Sequence, residues 1–100
     1  MDEKLWKIMD SKIDEVIHHS DEILAITTSL GSLIESREDE EANTFGIALG
    51  RVYNAFHYQT RRILKRDATA EEFQEFVVML SKRAGEIKKA LQAARQAVHA

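Results

Sequence analysis

Apolar residues recur in this chain with the period of a helix, in three successive stretches. In the first, Trp6, Met9, Ile13, Val16, Ser20, Ile23, Thr27, Leu30 and Ile34 are separated alternately by three and four residues. That spacing puts them on one side of an α-helix. Ile17 and Leu24 widen the stripe on one flank, and Leu5, Ile26 and Leu33 on the other, so it faces two neighbours. In the second, Phe45, Leu49, Val52, Phe56, Gln59 and Ile63 step in the same way. In the third, Phe73, Val77, Leu80, Ala84, Ile87, Leu91, Ala94 and Val98 continue it. The expected fold is all-α: three long antiparallel amphipathic helices over about 2–35, 40–66 and 70–98, forming one bundle domain over the 100 residues.

Two interruptions separate the stretches. Glu35 to Glu41 reads ESREDEE and has nothing apolar to bury. Its acids suit the start of the next helix, where the macrodipole is positive. Ser29-Leu30-Gly31-Ser32 is poor helix sequence, so the first turn falls somewhere between Gly31 and Asn43. The second interruption is Asp67-Ala68-Thr69. It leads into Thr69-Ala70-Glu71-Glu72, which fits a capping box with Thr69 as N-cap and Glu72 at the third helical position. The absence of proline permits long helices.

Composition narrows the function classes. With no cysteine, thiol catalysis, disulfides and zinc–thiolate sites are excluded. A net charge of −3 disfavours a dedicated nucleic-acid binder. The longest apolar run, Phe76 to Leu80, is far short of a membrane span. Met1-Asp2-Glu3-Lys4 does not open as a secretory signal does. A cytoplasmic location, with no membrane partner and no cofactor, is expected.

Candidate chemistry is sparse. Ala42, Gly46, Gly50 and Asn54 lie four apart on the second helix, and small residues there allow another backbone to approach, inside the monomer or between subunits. Ile8, Ile47, Val78 and Met79 lie off the main stripes, and some are expected outside a closed three-helix bundle. Ala42, Gly46, Ile47, Gly50, Tyr53 and Met79 are therefore the expected interface of a homodimer, with another protein as a further candidate partner. Trp6 is expected to close one end of the core. Arg61, Arg62, Lys65 and Arg66 form a basic patch where cations oppose the helix dipole. Lys82, Arg83, Lys88, Lys89 and Arg95 add charge on the third helix. These faces could meet nucleic acid, an acidic partner, or the ESREDEE segment of a second copy.

Glu15-Val16-Ile17-His18 has the Glu-x-x-His spacing of di-iron bundles, but no second such motif exists and no carboxylate lies between Thr44 and Arg66. Asp14, His18, His19 and Glu22 could hold a metal only adventitiously. Arg51 and His57, six residues apart, resemble the Arg-x(4–6)-His motif of HEPN-type ribonucleases, which are dimeric all-α domains. That resemblance covers seven residues and implies His57 as general acid/base and Arg51 as the group that stabilises phosphate charge. Val52 departs from it, since the family usually carries a polar residue directly after the arginine. The chain as a whole reads as a non-enzymatic interaction and assembly module.

Overall fold

The computed structural model describes residues 1–33 and 36–99. Among them are four α-helices and no strand: α1 (Glu3–His18), α2 (Ser20–Ser29), α3 (Arg37–Leu64) and α4 (Ala70–His99), with a 3-10 turn at Gly31–Leu33. The particle measures 43 × 22 × 19 Å. Its long dimension equals one helix of about 28–30 residues at 1.5 Å per residue, so α3 and α4 each run its full length.

The stretch expected as one helix over 2–35 is divided. His19 leaves helical geometry with φ −104° and ψ 24°. Five residues of low helix propensity, Val16-Ile17-His18-His19-Ser20, meet there. The ladder nearly survives, because His19 N–H donates to Glu15 O at 2.9 Å and Ile23 N–H donates to His19 O at 3.2 Å. The second helix also begins earlier than expected. Ser36 is its N-cap, accepting from Asp39 N–H at 3.1 Å, so Glu38, Asp39 and Glu40 form the first turn of α3. Ile34, the last member of the first stripe, lies outside the described residues.

Cross-helix contacts fix the directions. The Met1 amino group pairs with Glu75, and Arg83 reaches Asp10 and Asp14. The column formed by α1 and α2 therefore runs parallel to α4. Thr27 and Thr44 hydroxyl oxygens lie 2.8 Å apart, and Arg95 meets Glu40 and Glu41. Hence α3 runs antiparallel to both, giving an up-down-up order.

Leu5, Met9, Ile13, Val16, Ile23, Ala48, Val52, Phe56, Phe76, Met79, Ile87 and Leu91 make one continuous core. The first two stripes supply much of it. The α4 stripe is rotated at its start: Phe73 and Val77, expected inside, are exposed, while Phe76 and Met79 are buried. Trp6, expected to close the core, stands 39% exposed, and Leu5 beside it fills that place.

The α3–α4 turn is locally encoded. Thr69 Oγ1 accepts from Glu72 N–H at 3.1 Å, and Glu72 Oε1 accepts from Thr69 N–H at 2.9 Å. Lys65 ends α3 in the left-handed region, at φ 60°, donating its N–H to Arg61 O. A side chain strains there and glycine does not. Lys65→Gly is expected to stabilise the fold by about 1 kcal/mol. Urea denaturation followed by circular dichroism checks this; a destabilised variant would contradict the assigned helix end.

Candidate functional site

Each helix of the bundle keeps an outer face without a helix partner, and that of α3 carries the small residues. Its inner face buries Thr44, Ala48, Val52, Phe56, Gln59 and Thr60. Opposite them, Asp39, Asn43, Gly46, Gly50, Asn54, His57 and Arg61 follow one another by threes and fours and so form a second stripe. Asp39, Asn43, Gly46, Asn54 and Arg61 are exposed; Gly50 and His57 are half-buried. Sequence reasoning named the glycines and Asn54 but missed Asp39 and Asn43 as their companions. The signal was present in the same spacing, extended outward from Gly46 and Gly50.

The six residues expected at an interface divide. Ala42, Gly46 and Tyr53 are exposed, and Ile47 and Gly50 are half-buried. Met79 is a correction: it is only 3% exposed and belongs to the core. It fills the inside because α4 turns Phe76 inward, and Met79 lies one helical turn further on. Inside this chain nothing crowds the glycines, since a Cβ added at Gly46 or Gly50 would meet no atom within 4 Å. A shallow notch lined by Ala42, Asn43, Gly46 and Ile47 lies in the N-terminal half of the face.

Beside the glycines the surface is aromatic. Tyr53 is 45% exposed. Its ring lies edge-on to His57 at 4.9 Å and to Phe73 at 6.3 Å. His57 also meets Phe56 edge-on at 5.1 Å. Arg51 is exposed. Six residues of helix separate Arg51 from His57, which places them about 120° apart around the axis and ~9 Å along it. They do not share a face of one chain.

The basic residues are largely committed to local bonds. Arg62 Nε donates to Gln59 Oε1 at 2.8 Å. Arg66 makes a two-pronged contact with Glu72, at 2.7 and 3.3 Å. Lys65 caps α3 with its backbone N–H, a contact that does not engage its ammonium group. Arg61 has a long contact, 3.9 Å, with Asp67. On α4, Arg83 bonds Asp10, Asp14 and Glu86 and ties α4 to α1. Glu86 and Asp14 raise its pKa, led by the Glu86 hydrogen bond, and the same bond lowers the Glu86 carboxyl. Arg95 ties α4 to Glu41 of α3 at 2.9 Å. Among the described residues, no three His, Asp or Glu side chains converge as metal ligands. Glu15 is engaged by Lys12, and His19 stands 3.5 Å from Glu22.

At one end of the α3 face a cleft of about 260 Å³ opens between α2, α3 and α4. Leu24, Phe45 and Leu91 line it, and Glu40, Lys88 and Arg95 are among its charged residues. Glu40 Oε1 is buried there without a hydrogen bond, with Arg95 Nη2 at 3.6 Å. Among the described residues no helix is long and apolar enough to cross a membrane. In comparisons with known proteins, no family model, no curated protein and no solved structure matches the chain.

Proposed function

We propose that this chain is a non-enzymatic helical interaction and assembly module that works as a homodimer through the outer face of α3. One observation carries the reading. Gly46 and Gly50 sit in mid-helix, where each weakens the helix by about 1 kcal/mol relative to alanine. Nothing in the chain's own packing needs them, because a Cβ at either meets only open space. A second backbone seated on that face gives them a reason. The exposed Tyr53 and the half-buried Ile47 flank the glycines with apolar surface, of the kind that a partner covers.

Sedimentation at micromolar concentration tests this. The expected mass is twice that of the chain, and a monomer throughout that range overturns the proposal. Replacing both glycines separates the two reasons a helix has for carrying them. In Gly46→Ala/Gly50→Ala the isolated fold gains about 2 kcal/mol at most, while the dimer dissociates about tenfold more readily or more, since two added methyls hold the backbones apart. A variant that is more stable yet equally dimeric would move the interface off this face.

A further inference from the structure

Resting on the homodimer reading above, we infer that the two copies pair antiparallel through α3, with the two-fold axis at Gly50 and an Asp39–Arg61 ion pair at each end. The outer stripe is electrically polar along its length. It begins with Asp39, ends with Arg61, and carries only Asn43, Gly46, Gly50, Asn54 and His57 between them. Asp39 and Arg61 are 22 residues apart, about 33 Å of helix. Among the described residues the Asp39 carboxylate has no ion pair, and the single contact of Arg61 is the long, exposed one to Asp67.

A two-fold axis makes each surface its own partner, so the face must complement itself under reversal. About Gly50 it does. Asp39 comes level with Arg61 of the second copy, Asn43 with its His57, Gly46 with its Asn54, and Gly50 with its Gly50. The closest backbone approach falls at Gly50, where neither copy has a side chain. A parallel pair would instead set Asp39 against Asp39 and Arg61 against Arg61, which repels. Exposed ion pairs add little affinity; their effect is to choose direction and register.

Charge exchange and single-cysteine cross-linking test the arrangement. Asp39→Arg and Arg61→Asp, each introducing two repulsions by symmetry, are expected to weaken the dimer about tenfold. Asp39→Arg/Arg61→Asp together restore it. The chain has no cysteine of its own, so Gly50→Cys is expected to yield a covalent dimer under mild oxidation, the two Cα atoms lying within ~7 Å. Asn43→Cys is expected not to cross-link with itself, because the antiparallel arrangement holds the two positions ~20 Å apart. Self-linking of Asn43→Cys, or single charge reversals as dimeric as the parent, overturns this geometry while the parent's dimeric mass keeps the broader reading. A monomeric parent overturns both. If Gly50→Cys is itself monomeric, the charge exchange in the glycine-containing chain decides alone.

Discussion

Phe56→Ala is expected to destabilise the fold by about 3–5 kcal/mol, the largest single effect of any substitution considered. Phe56 is fully buried. Its ring stacks on Phe76 with centroids 4.5 Å apart and planes 9° from parallel, and this contact joins α3 to α4. Truncation removes the apolar area of the ring and leaves a cavity that stiff helices cannot collapse around. A domain of this size is stabilised by about 5–15 kcal/mol in total, so the loss is a large part of the whole. At ~4–8 °C per kcal/mol, the melting temperature is expected to drop by about 12 °C or more. Phe73→Ala serves as the comparison. Phe73 is 39% exposed and meets the cluster at 6.3–6.4 Å, so its loss is expected to cost about 1 kcal/mol. Thermal melts by circular dichroism distinguish the two. Equal effects would mean that the core does not centre on Phe56.

That contrast also shows what patterning along a chain can and cannot reveal. Period alone gives α3 one inward face, because the buried Val52 and Phe56 lie between the exposed Arg51, Tyr53, Asn54 and Tyr58. In α4 the run Phe76-Val77-Val78-Met79-Leu80 is apolar on every side, so periodicity gives no single inward direction. Distant charges supply what the run lacks. Arg83 is held by Asp10 and Asp14 against α1, and Arg95 by Glu40 and Glu41 against α3. Those partners lie far away in sequence and invisible to any local reading. The same blindness made Arg83 and Arg95 look like free positive charge. Trp6 follows a related logic, since Leu5 at the adjacent position is the better fit to a fully closed core. The α3 face was legible in half. Glycine spacing revealed its centre, but its ends, Asp39 and Arg61, are ordinary surface charges that no local pattern singles out.

Acid is expected to loosen the hinge between α3 and α4 through one carboxylate. Glu72 is 8% exposed. It accepts hydrogen bonds from the Arg66 guanidinium at 2.7 Å and from Thr69 N–H at 2.9 Å. The Arg66 hydrogen bond, followed by that of Thr69, lowers its pKa from the ordinary 4.5 to about 2. The partner responds in the opposite sense, the Arg66 pKa being raised by the same bond. Above the ordinary carboxyl range Glu72 is ionised in both folded and unfolded chains, and its stabilisation is fully present. As pH falls from about 4.5 towards 2 the unfolded chain takes up a proton that the folded chain refuses, so stability declines through that window. Below about 2 both forms are protonated and the contribution has gone. Glu72→Ala should reproduce the loss at neutral pH, about 2 kcal/mol for a charge-assisted bond together with a helix cap. Glu72→Gln keeps a side-chain acceptor for Thr69 but not the charge, and is expected to fall between the two. The decisive measurement is the difference in unfolding free energy between parent and Glu72→Gln at pH 7 and near pH 2.5. That difference should shrink as the unfolded parent chain takes up its proton. A difference constant across the range would mean that the Arg66–Glu72 pair holds no charge-dependent part of the turn.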